Sequence, residues 1–166
     1  MDQVELQTKL GTLQVDEEKV IEFPVGILGF SENHRYVIVE QEGSAFSFLQ
    51  SVDDPELSFV VIMPELVCCD YSVQLSDEDI DLLGIESPED GKVYGIVTIP
   101  ENVAEMTVNL QAPVVINTKN LVGAQFVLQG AQYHTKHNVI AEMHKNAYIL
   151  QRQSEAQEGE KIQESV

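Results

Sequence analysis

Residues 23–30, FPVGILGF, followed by 36–39, YVIV, and 46–51, FSFLQS, decide the fold of this chain. Residues 20–23 are a short apolar strand that Pro24 stops, because proline has no amide to give to a ladder. Gly26 and Gly29 bracket Ile27 and Leu28 in a tight corner, and Phe30 is expected to plug that corner into the core. YVIV is the return strand. A turn at Gly43-Ser44 leads into FSFLQS, which alternates with period two and ends at Ser51-Val52-Asp53-Asp54-Pro55.

The same grammar extends in both directions. Val4 to Leu10, Gly11-Thr12, then Leu13 and Val15 read as an opening hairpin. Residues 57–63, between Pro55 and Pro64, are the most apolar run; their length and β-branching favour a buried central strand over a helix. Tyr71, Val73 and Leu75 alternate as a further strand. Ser76 then reads as an N-cap before Ile80, Leu82 and Leu83 on one helical face, closed by Gly84. Strands are expected at 92–99, 106–110, 113–117 and 124–128. Short strands broken by Gly and Pro, with one short helix, predict an all-β sandwich or small barrel. Residues 1–140 are expected to form that domain and 141–166 a tail. Met143, Ala147, Ile149 and Leu150 suit a marginal amphipathic helix, and the polar stretch after Arg152 is expected to be disordered.

Charge is the outlier. Nine Lys and Arg stand against 28 Asp and Glu, a formal net charge of −19. Residues 53–105 carry fourteen acids and one base, Lys92. Such a field repels phosphate and anionic membranes, so direct nucleic-acid and membrane binding are not expected, while a basic protein partner is favoured. The acids Asp77, Glu78 and Asp79 also complement the dipole of the short helix. The N-terminal residues carry acids where a secretory signal has a basic region, and no apolar run approaches a bilayer span, so a cytoplasmic location is expected. Adjacent Cys68 and Cys69 are expected to be reduced thiols, one inward and one near the surface.

No constellation points to catalysis, a cofactor or a metal site. Asp53, Asp54 and Glu56 precede Pro55 at a strand end, where Asp makes turns through its own side chain. Ser51 has no His or Lys partner by spacing. His134 and His137 would share a helical face, but after Gly130 and without a cysteine they read as surface histidines. Asn109, Asn117 and Gln125 sit in apolar strands. They either point outward or cap ladder ends, or they form a neutral amide recognition face. In the second case exposed parts of Phe48, Leu49 and Gln50 would complete a mixed patch.

The ordered succession Gly11-Thr12-Leu13, Ile21-Glu22-Phe23, Gly26-Ile27-Leu28-Gly29-Phe30, Phe48-Leu49-Gln50-Ser51-Val52-Asp53 and Phe59-Val60 with Pro64 resembles the FliW family of flagellar assembly factors. Ile96-Val97-Thr98, residues 109–117 (NLQAPVVIN), Gln125-Phe126-Val127-Leu128 and Tyr133-His134-Thr135-Lys136-His137 continue the likeness. The resemblance implies a small antiparallel β-barrel-like fold and no enzymatic activity. It implies two partners: newly made flagellin, and CsrA, a basic dimeric RNA-binding regulator that blocks flagellin translation. Flagellin would occupy the factor and free CsrA; secretion of flagellin would reverse this. On that basis the expected contact residues are Phe48, Leu49, Gln50, Ser51, Asp53, Asp77, Asp79, Asp81, Asn109, Asn117 and Gln125. An acidic chaperone for another client, without a regulatory role, is the alternative. Cys68-Cys69 and the segment after about Ile140 match no feature of the family.

Overall fold

The computed structural model describes residues 3–130 and 132–164. The opening hairpin, β1 (Gln3–Thr8) and β2 (Gly11–Asp16), forms a separate two-stranded sheet. The remaining strands are β3 (Ile21–Glu22), β4 (Arg35–Glu40), β5 (Phe46–Ser51), β6 (Ser58–Ile62), β7 (Gly91–Thr98), β8 (Thr107–Asn117), β9 (Val122–Gln125) and β10 (His137–Asn138). Strands β3 to β9 close into a seven-stranded barrel, which leaves those strands no long unpaired edge. Neighbours are antiparallel except at the closure. There β3 and β9 run parallel, and the Glu22 amide donates to the Leu121 carbonyl at 2.9 Å.

The barrel interior holds Ile21, Phe23, Tyr36, Leu49, Val61, Tyr94, Val114 and Ile116. The glycine-bounded corner closes one end, but not with the residue expected. Ile27 is the plug, 2% exposed, whereas Phe30 is 41% exposed and lies edge-on against Phe59 with centroids 5.1 Å apart. The reason is backbone geometry. Gly26 (φ 72°) and Gly29 (φ 86°) reverse the chain twice, so Ile27 turns inward, and the Phe30 amide donates to its carbonyl at 2.7 Å.

The expected strands 106–110 and 113–117 are one strand, β8, bent at a large bulge. Tyr94 pairs with Val114 and Ile96 with Asn109, so Gly95 alone faces residues 110–113. Oδ1 of Asn109 accepts the amides of Gln111 (3.1 Å) and Ala112 (3.0 Å) inside the bulge. Beyond the bend β8 pairs β9; before it, β8 pairs β10. Residues 71–75, expected to be a strand, are extended without a ladder partner. Their burial does alternate, with Tyr71, Val73 and Leu75 half-buried. Periodicity reports a covered face, and here the cover is the outside of a barrel whose strands are already paired.

Among the described residues two α-helices flank the barrel: α1 (Asp77–Leu83) and α2 (Val139–Glu164). Helix α2 is far longer than expected. Val139 is fully buried and, with Ile140 and Met143, joins a cluster on the barrel's outer side with Ile62, Val97 and Val108. Helical backbone continues through the polar stretch to Glu164, in a sequence rich in the strong helix formers Glu, Gln, Ala and Lys.

Candidate functional site

Most of the expected contact residues serve the fold. Leu49, Gln50 and Ser51 are each 0% exposed, so they present no surface patch. Leu49 belongs to the barrel core. The Gln50 Nε2 donates to the carbonyls of Ser51 (2.9 Å), Pro55 (3.1 Å) and Leu57 (3.1 Å), holding the loop that follows β5. The Ser51 hydroxyl donates to Oδ1 of Asn33 and accepts the Asp54 amide. Phe48 is half-buried, opposite Val39 and Val60. An alternating strand hides one face only when the other meets water, and the 52–57 loop covers this one.

The amides behave likewise. Asn109 shapes the bulge. Asn117, 1% exposed, donates to the Leu83 carbonyl at 2.8 Å and accepts the Lys119 amide at 3.0 Å. Gln125 accepts the Leu28 amide and donates to the Ala112 carbonyl, both at 3.0 Å, tying the corner to β8. Each amide satisfies backbone that strand ladders leave unpaired, as the ladder-capping alternative expects. Asp53 is a turn residue, as its position before Pro55 suggested. It accepts the His34 and Arg35 amides and pairs with the Arg35 guanidinium at 2.9 Å. Burial alone would raise its pKa; the His34 amide and the Arg35 side chain outweigh burial and hold the carboxyl below its ordinary range.

Apart from Asp53, the acids of α1 are the expected contact residues that remain on the surface. Ser76 Oγ accepts the Asp79 amide (3.1 Å) while the Asp79 carboxylate accepts the Ser76 amide (3.3 Å), a complete capping box. Gly84 ends the helix in the left-handed region, and Asn117 and Asn120 both donate to the Leu83 carbonyl. Leu83 anchors the helix against Val115 and Ala124. With Asp79 committed to the cap, Asp77, Glu78 and Asp81 are exposed, beside Leu82 at 42% exposure. Next to them lies an apolar groove of about 300 Å³, floored by Val73, Leu75, Ile80, Ile85, Val93 and Val115 and edged by Glu86. Sequence reading placed Val73, Leu75 and Ile80 on covered faces but had no means of seeing that the cover is incomplete. A second apolar surface is the corner itself, with Val25 65% and Leu28 62% exposed beside Phe30.

The histidines and cysteines form no chemical centre. His134 is exposed and stacks on His137 with centroids 5.5 Å apart. His137, expected at the surface, is half-buried: its Nε2 accepts the His134 amide at 2.8 Å, and its Nδ1 lies 3.4 Å from Glu142. Among the described residues no three His, Cys, Asp or Glu side chains gather as metal ligands. Cys68 is half-buried and Cys69 exposed, both free, and Cys68 donates to Asp70 at 2.9 Å. His137 and Lys145 line a cavity with them, although neither is near in sequence. Burial, reinforced by Asp70, pushes the Cys68 thiol up to about 11, away from the thiolate form. No helix among the described residues is long and apolar enough to cross a membrane.

Comparison with known proteins agrees with this architecture. Residues 5–139 match the model of the FliW protein family. The chain is 42% identical over 157 residues to the flagellar assembly factor FliW of Alkaliphilus metalliredigens, covering 93% of this chain and 97% of that one. It is 41% identical over 148 residues to that of Caldanaerobacter subterraneus, covering 87% and 98%. A crystal structure of the flagellar assembly factor FliW superposes with a TM-score of 0.76 at 33% identity, covering 83% of this chain and 96% of that one. A closed barrel with these corners, matched along nearly its whole length, makes this chain a member of the FliW family of flagellar assembly factors.

Proposed function

We propose that this protein is a cytoplasmic partner switch that binds flagellin and antagonises the translational regulator CsrA. The observation that carries it is the surface at α1, where exposed Asp77, Glu78 and Asp81 border an apolar groove. An apolar floor supplies contact area, and a one-sign acidic rim selects a basic partner. An RNA-binding regulator is basic where it holds RNA. Acids brought beside that surface repel phosphate without occupying its site, and such like-charge juxtaposition costs several kcal/mol, on the order seen in wrong-partner rejection. The exposed apolar corner at Val25, Leu28 and Phe30 offers flagellin a surface of its own, so each partner has a separate site. Coupling between the two is the reciprocal linkage a switch requires.

The test is to add the protein to a preformed complex of CsrA with flagellin leader RNA, and then to add flagellin. RNA release followed by recapture is expected. RNA that stays bound while flagellin still binds would instead establish a chaperone without a regulatory role. Asp77→Lys with Asp81→Lys leaves the capping box intact and is expected to weaken RNA release more than complex formation.

A further inference from the structure

The barrel is plugged by Ile27 at one end and open at the other. The open mouth is a cavity of about 470 Å³, within the roughly 300–1,000 Å³ typical of small-ligand sites. Its floor is made of residues from strands on several sides of the barrel: Ile21 of β3, Tyr94 of β7 and Ile116 of β8, each 5% exposed or less. Lys19, Lys92 and Glu40 stand among the lining, a net charge of +1 in a chain of net −19. Lys92 is half-buried, with Nζ 5.4 Å from the centroid of the Tyr94 ring, so its ammonium is held over the apolar floor.

The backbone at this mouth is also unusual. Leu121, in the cavity wall, has φ 57°, the sole non-glycine residue with positive φ among the described residues. Hydrogen bonds at both ends keep it there: its amide donates to the Asn117 carbonyl and its carbonyl accepts the Glu22 amide, each 2.9 Å. A branched residue held in the left-handed region costs of the order of 1–3 kcal/mol, and such positions cluster at ligand sites.

We infer that the open mouth of the barrel binds an amphiphilic monocarboxylate, its apolar chain on Ile21, Tyr94 and Ile116 and its carboxylate between Lys19 and Lys92. The charge of the lining matches one anionic group, and the volume and apolar floor match a chain rather than a compact ion. Two sources share this chemistry: a fatty-acid-like molecule and the free C-terminus of an apolar peptide. The lining of this mouth shares no residue with the groove at α1.

The experiment is an amide-resolved NMR titration of the full chain with decanoate, decanol, acetate, and an apolar hexapeptide as free acid and as C-terminal amide. Saturable shifts at Ile21, Ile116 and Leu121 are expected with decanoate or the free-acid peptide, and the tighter of the two identifies the source. Decanol, acetate and the peptide amide should bind at least about tenfold more weakly, the worth of a hydrogen bond to a charged group. Lys19→Gln with Lys92→Gln, at positions outside the core, should weaken the carboxylate by at least about the same factor. The inference is overturned if neither carboxylate gives saturable shifts at the mouth. It is equally overturned if decanol binds as tightly as decanoate, or if the double substitution changes nothing.

Discussion

Asn117 shows how a residue's role depends on its partners. An asparagine at the end of an apolar strand reads equally well as a surface contact or a ladder cap, and here it is buried between Leu83 and Lys119. Asn117→Ala leaves the Lys119 amide without its acceptor and the Leu83 carbonyl with Asn120 alone, and should cost about 2–3 kcal/mol in urea denaturation. A stability unchanged from wild type would return Asn117 to the contact surface. Asp53 makes a pH-dependent contribution. Its folded pKa lies below the unfolded value of about 3.9, so its stabilisation is complete above that value. The contribution is lost as pH falls through the folded pKa. Asp53→Asn should therefore lower stability at neutral pH by up to about 1 kcal/mol, the worth of a solvent-screened pair, with the gap to wild type closing at the acid end of the same denaturation series.

At the scale of elements, the corner 24–30 and α1 were legible because their signals are local. Gly26, Gly29 and Pro24 announce reversals, and Ser76, Asp79 and Gly84 announce the ends of a helix. Which apolar side chain of the corner enters the barrel was not legible. Ile27 and Phe30 are both apolar, and only the two left-handed glycines together decide. Their requirements differ. A Cβ on Gly29 meets nothing within 4 Å, so Gly29→Ala should cost about 1–2 kcal/mol from φ alone. A Cβ on Gly26 would sit 2.8 Å from the Ser31 Cα and 3.0 Å from the Phe30 carbonyl oxygen. Gly26→Ala should therefore cost more than Gly29→Ala, by at least about 1 kcal/mol in thermal or urea melts. Equal losses would mean that the corner is loose and does not plug the barrel. From sequence the long β8 reads as two strands because Ala112-Pro113 suggests a break. Asn109 instead repairs the ladder by binding the bulge amides, and proline has no amide to leave unpaired.

The whole molecule carries a field of net −19, with exposed acids on α1 beside an apolar groove. Steering by such a field accelerates association with basic proteins and fades as salt shortens the Debye length. The association rate with a basic regulator should fall about tenfold or more between about 0.05 M and about 0.5 M salt, measured by stopped flow. Asp77→Lys with Asp81→Lys should flatten that dependence; an unchanged salt slope would place the steering charge elsewhere on the surface. Residues 53–105 read as an acidic field from sequence, but part of that count is internal. Asp90 is 5% exposed and pairs with Lys119 at 3.2 Å, and Asp79 is spent on its cap.

By itself the sequence determined the all-β class and most of its strands, the corner, the caps of α1, the sign of the surface charge and the family. Each of these is written in neighbouring residues or in their order along the chain. Tertiary structure alone decided that Gln50, Asn117 and Gln125 spend their amides on backbone, that Ile27 is the plug, and that the far mouth of the barrel stays open between Lys19 and Lys92. The Gln125 bonds and the open mouth depend on barrel closure, which brings β3 beside β9 and sets groups about a hundred residues apart within hydrogen-bonding distance; Gln50 depends on the loop after β5, and Ile27 on Gly26 and Gly29 acting together. Alternation says that a face is covered; only closure says by what, and how completely.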